Sequence, residues 1–397
     1  MSTLLSLVIF IAIAYFSGQF FQRMQVRQFW LRGIIFSGSL YILLGYLFGP
    51  QVFALIQPQV ISDLNIAYSF FLGWVGFLIG LQLNLKSLLR FSRQYYWFSL
   101  TNFIIALITS LVLFYLVFSY LNFEMLDVFV LAVAGVVTSP ILIGVFIRDT
   151  KARGQVTHIL QFNAAIDNIL GVIVMGIILG IQGEIKFMDI YVYGYFNIFI
   201  YVMVIVSASL IFYYLIKQFN TDEELLLLIL GLILVVVGGA FYLKQSLVFA
   251  SFVFGAIIAN LDIPTKKLYL YIQKLEQPLY IILLIFTGML LNIRQGFNVW
   301  LILIFLAVHI IAKFIAGYSA THVISGMRKI PSSIGLANLG MGGLSLVIIL
   351  DFHISTNSIF SETMLMIIAF AILLNDIIGF WYLEGVLLKR MKKVYDT

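Results

Sequence analysis

The chain has 397 residues, 62% of them hydrophobic and only 10% charged, with a formal net charge of +6 and no cysteine. An ordinary soluble domain is about 25% charged, so the composition excludes a soluble enzyme and describes a polytopic membrane protein. The missing cysteines exclude disulfides and thiolate metal sites, and the basic residues lie in short loops between apolar stretches, which speaks against a nucleic-acid surface.

Apolar stretches of about 20 residues, enough to cross a bilayer, recur from end to end. Thirteen spans are predicted, over 4–22, 30–49, 64–84, 95–120, 126–147, 157–182, 188–217, 223–243, 246–262, 274–292, 298–321, 331–350 and 361–384. The first has no basic leader and no small-residue cleavage site, so it reads as a span and not as a removed signal peptide. Only a turn around "KQS" (244–246) separates the eighth from the ninth.

The loops alternate in charge. One set, around 23–32, 86–93, 148–153, 217, 266–274, 328–329 and the tail 389–393, holds nineteen of the 23 Lys and Arg. The opposite set holds Lys186, Lys244 and Arg294, and Lys313 lies within a span. The positive-inside rule then puts the N-terminus outside and the C-terminus in the cytoplasm, with the chain in the inner (plasma) membrane.

Four ionisable residues fall inside predicted spans: Asp167 in the sixth, His309 and Lys313 in the eleventh, and Asp376 in the thirteenth. A charge at mid-membrane costs a few kcal/mol or more, so such residues point to function. Counted back from the cytoplasmic ends at about 1.5 Å per residue, Asp167, Lys313 and Asp376 lie roughly 15, 12 and 12 Å deep. They share one level.

"IDNILG" (166–171) in the sixth span resembles "NDIIGF" (375–380) in the thirteenth, which runs the opposite way. Residues 1–185 and 221–390 are therefore expected to be inverted copies, joined by a linker helix at 186–220, with 391–397 as a short cytoplasmic tail. Inverted repeats with a midplane site are the pattern of secondary transporters. The fifth span contains "GVVTSPILIG" (135–144) and the twelfth "GLANLGMGGLSL" (335–346), both helix-breaking. Non-helical backbone at this depth is tolerable only where protein buries it or it lines a cavity.

Six stretches, in order, resemble the monovalent cation:proton antiporter superfamily: "LLGYLFGP" (43–50), "VGFLIGLQLN" (75–84), "AVAGVVTSPILIG" (132–144), "AIDNILGVIV" (165–174), "LLIFTGMLLNI" (283–293) and "AKFIAG" (312–317). The resemblance implies an all-α fold of about thirteen helices in two inverted repeats with two discontinuous crossing helices. It implies exchange of Na+ or K+ for protons by alternating access, no enzymatic activity, no cofactor and a homodimer in the lipid bilayer. In electrogenic members two adjacent Asp sit on the sixth span; the second binds the ion and the first pairs with a membrane lysine. Aligned on Gly171, Asp167 takes the first place, Lys313 the lysine, and Thr138 and Ser139 polar positions of the unwound helix. The second place is Asn168, a departure. A one-residue shift would instead make Asp167 the ion-binding acid, as in members with a lone Asp. "MGGLS" (341–345) also departs from the family's usual twelfth-span sequence.

The expected ion-binding residues are thus Asp167, Asn168, Thr138 and Ser139, with Lys313 as the ion-pair and proton group and Asp376 and His309 as accessories. Two plainer readings stand beside this one. The Asp167–Lys313 pair could be a static bridge between helices, and Asp376 and His309 could be packing residues. At the level of function, the alternatives are transport of an anion or organic solute on the same scaffold, or a transport-impaired homologue in which Asn168 replaces the usual second Asp.

Overall fold

A computed structural model describes residues 38–383, together with residues 12 and 16, apart from residues 57, 183–184, 188–189, 193, 217, 219–220, 262–265, 293–297, 328–329 and 357. Apart from residues 12 and 16, the predicted first span lies outside the described residues, as do the first and last basic clusters, the tail and Arg294.

The described chain is helical. In order it forms α1 (Ser39–Phe48), α2 (Asn65–Leu81), α3 (Arg93–Phe118), α4 (Met125–Val136), α5 (Pro140–Thr150) and α6 (Gln155–Gln182). A small antiparallel hairpin, β1 (Ile185–Phe187) with β2 (Ile190–Val192), leads to α7 (Gly194–Leu215). Then come α8 (Asp222–Tyr242), α9 (Leu247–Asn260), α10 (Lys266–Leu290), α11 (Val299–Val323), a 3-10 helix (Ser332–Asn338), α12 (Gly342–Ser355) and α13 (Ser361–Tyr382). Each predicted span from the second onward coincides with one of these helices, except the fifth and the twelfth, which each coincide with two. Among the described residues seven helical stretches are long and apolar enough to cross a membrane, one of them α4 and α5 taken together (Met125–Thr150); the 3-10 helix and α12, bent by 64° against each other, make an eighth as a pair.

Both interruptions fall at the helix-breaking stretches. The fifth span splits into α4 and α5 around Val137–Ser139, which are extended. Pro140 begins α5, where its missing N–H is no loss, and the Ser139 hydroxyl caps that helix by accepting from the Leu142 N–H at 3.3 Å. The twelfth span starts as a tight 3-10 helix, breaks at 339–341 and resumes as α12, whose first residue, Gly342, has a φ of 64° that suits glycine.

Small residues let the helices meet closely. Gly80 on α2 and Gly255 on α9 each abut the other helix's main chain, and Gly45 on α1 and Gly288 on α10 do the same. Elsewhere aromatic rings fill the space: Tyr68 stacks on Phe286 at 4.3 Å and Phe114 on Phe305 at 5.1 Å. Without water between them, helices in lipid gain from such close backbone approach.

Candidate functional site

The two interruptions cross. The Ser139 N–H donates to the Gly340 carbonyl at 2.7 Å, and Gly342 lies against the Ser139 side chain. Each break frees carbonyls that a regular helix would have used. Two basic residues one turn apart on α11 meet them. Lys313 Nζ donates to the carbonyl of Val136, the last residue of α4. His309 Nε2 is 3.1 Å from the Leu339 carbonyl at the other break. A cation at the C-terminal end of a helix is also favoured by the helix dipole.

Asp167 faces this crossing from α6. It is 0% exposed and Lys313 is 1% exposed. Asp167 Oδ2 accepts from Thr138 Oγ1 at 2.8 Å, from Asn163 Nδ2 at 2.9 Å and from Lys313 Nζ at 3.3 Å. Lys313 also donates to Thr138 Oγ1 at 2.8 Å, so the threonine bridges base and acid. Burial disfavours both charges while their mutual attraction favours them.

Three buried oxygens along α6 have no hydrogen-bond partner among the described residues: Asn163 Oδ1, Asp167 Oδ1 and Asn168 Oδ1. An unpartnered buried acceptor is costly and calls for an explanation. Carboxylate and amide oxygens suit a hard cation such as Na+ or K+.

The expected site residues therefore separate. Asp167, Thr138 and Lys313 form one hydrogen-bonded group. Ser139 is beside it, engaged in the helix cap and the crossing. Asn168 is buried on the same helix. Asp376 is buried on α13, where Gly379, one turn on, packs against the Leu339–Gly340 break. Asn163 and the Val136 carbonyl complete the group and were not among the residues picked from sequence.

Gly335 is pressed against α11 where a Cβ would overlap the Lys313 carbonyl, and Gly317 opposes it. Gly335→Ala is expected to push α11 off the 3-10 helix and displace Lys313. Overpacking typically costs about 1–3 kcal/mol, so thermal unfolding in detergent should begin several degrees lower and exchange should fall with it.

The family model for the transmembrane part of the sodium/hydrogen exchangers matches residues 8–385. The chain belongs to the sodium/hydrogen exchanger family. It is accordingly a multi-pass membrane transporter of the cation:proton antiport class and not an enzyme. The fold agrees. The structure of the sodium proton antiporter MjNhaP1 from Methanocaldococcus jannaschii at pH 8 superposes with a TM-score of 0.67 at 15% identity, over 97% of this chain and 99% of that one. A structure of the same antiporter from electron microscopy gives 0.57 at 18% identity, over 88% and 90% of the two chains. Among curated proteins, none matches this exchanger in sequence.

Proposed function

We propose that this exchanger carries Na+ or K+ against protons across the inner membrane by alternating access, with Asp167 and Lys313 as the exchanging pair. The observation that carries the reading is a buried acid and a buried base, 3.3 Å apart, at the crossing of two broken helices. A cation entering the site binds Asp167 Oδ1, with Asn168, Thr138, Ser139 and freed carbonyls as neutral oxygen ligands. Lys313, deprived of its counter-charge, gives up a proton. Protonation of Lys313 after the cation leaves restores the pair.

In this scheme one cation replaces one proton and the cycle is electroneutral. Residues 1–185 and 221–390 act as inverted repeats about the linker 186–220, and a bundle carrying the site moves against the remaining helices, two copies of which form the dimer. His309 keeps the second break closed through Leu339, and Asp376 is an accessory carboxylate behind it.

The test is reconstitution into liposomes holding a pH-sensitive dye, with an imposed pH gradient. Adding NaCl or KCl, but not choline chloride, should collapse the gradient, and the cation that acts at lower concentration is the substrate. A response that follows the anion or an organic solute instead would overturn the reading in favour of that rival. A net charge moved per cycle would feel about 2.3 kcal/mol per 100 mV; strong voltage dependence would refute the one-proton scheme.

A further inference from the structure

A second buried carboxylate lies away from the exchange site. Asp351 on α12 is 1% exposed. Its position, nine residues beyond Gly342, places it about 13 Å along the helix from the crossing, at 1.5 Å per residue. That is the end the loop charges assign to the outside. Asp351 Oδ2 accepts from Ser246 Oγ at 2.5 Å, and Oδ1 from the Leu247 N–H at 2.8 Å. Ser246 caps α9, accepting from the Phe249 N–H at 3.0 Å. One helical turn beyond Asp351, Ser355 Oγ donates to the Gln245 carbonyl at 3.3 Å. Tyr201 Oη of α7 holds the same turn through the Ser246 carbonyl at 2.7 Å.

We propose that Asp351 is a positioning residue for exchange: it latches the outer end of α12 to the α8–α9 turn and so closes the outward path to Asp167. The proposal rests on the alternating-access reading above. α12 belongs with the site, because it begins at the crossing and packs on α4 and α13. α9 belongs with α2, to which glycines join it closely. The latch therefore bridges the site-bearing helices and the others. The donors, with the Val248 N–H as a third, sit on consecutive residues of one turn, so drawing α12 away from α9 strips the carboxylate of all of them together. A buried carboxylate left bare is strongly disfavoured, and only water admitted from the outer side can replace the donors. The contact is thus either made or broken. Below Asp351 the same face of α12 presents Val347 and Gly343, at four-residue spacing, and Gly343 lies tight against Tyr280 of α10. Outward opening starts at Asp351 and then uncovers Val347.

The chain has no cysteine, so Val347→Cys supplies a single thiol beneath the latch. In right-side-out vesicles of the full chain, a membrane-impermeant maleimide added outside should label it slowly. Adding Asp351→Asn should speed labelling about tenfold, since a charge-assisted hydrogen bond is lost, while label supplied from the inner side reacts no faster. Equal outside rates in folded protein overturn the latch. Should Asp351→Asn fail to fold, Ser246→Ala makes the same test while leaving the carboxylate its Leu247 and Val248 donors. A cross-link gives the converse. Oxidising Ser246→Cys with Asp351→Cys should stop exchange and a reductant should restore it; exchange that continues in the cross-linked protein also overturns the proposal. The native chain is measured alongside. If it exchanges no cation, the antiport reading itself fails; if it exchanges normally and labelling is unaltered, only the latch fails.

Discussion

Asp167→Asn should abolish cation-driven proton release in protein that still folds, though less stably, because Lys313 then keeps a buried charge without its counter-charge. The substitution keeps the side chain's shape and an oxygen that can still accept from Thr138 and Asn163. Lys313 retains the Val136 carbonyl and Thr138 Oγ1 as acceptors. What disappears is the charge. A cation about 4 Å from a carboxylate gains about 4 kcal/mol at the effective dielectric typical of proteins. At 1.4 kcal/mol per decade that is nearly a thousandfold in affinity. In dye-loaded liposomes the variant should therefore show no gradient collapse at salt concentrations that saturate the native exchanger, while its size-exclusion profile stays native. A rate within a few-fold of native would show that Asp167 is not the ion-binding carboxylate.

The sequence carried much of this site, and physical reasons explain the rest. Apolar runs of bilayer length mark spans whatever their neighbours do, so helices follow them from the second span onward. The break at Val137–Ser139 could be read from Pro140 because proline cannot supply the helical N–H. The 3-10 form of Ser332–Asn338 could not, since it arises where Gly335 and Gly317 let two main chains touch. Lys313 was legible as a charge in an apolar run, but its bond to the Val136 carbonyl was not: a main-chain acceptor has no signature in residue type. Asn163 was within reach. It stands four residues before Asp167, hence on the same helical face, and that spacing was the available signal. Asn168 was legible as a buried amide, but adjacent residues on a helix point about 100° apart, so its place in the sequence beside Asp167 did not fix the direction of its side chain. Asp351 lies just past the predicted end of the twelfth span at residue 350, where an acid reads as a loop residue; its hydrogen-bond partners belong to a turn about a hundred positions earlier in the chain.

Lys313→Ala should destabilise the protein as well as stop exchange, and a second substitution separates these effects. Removing one partner of a buried ion pair typically costs about 3–5 kcal/mol, because the other charge is left uncompensated. Here it also leaves the Val136 carbonyl at the α4 break without its donor, so the crossing loosens. Thermal unfolding in detergent should fall markedly and the yield of monodisperse protein should drop. Adding Asp167→Asn to Lys313→Gln removes both charges together. The Gln amide can still donate toward Val136 and Thr138, and the Asn amide can still receive from Asn163. Removing both charges leaves no uncompensated buried charge, so this double variant should melt well above Lys313→Ala. A pair that served only to tie helices together would give a stable double variant that still exchanges ions. A pair that is the site gives a stable double variant with no exchange, because nothing remains for a cation and a proton to compete over. The second outcome is the expected one, and it depends on the charges themselves and not on the packing around them.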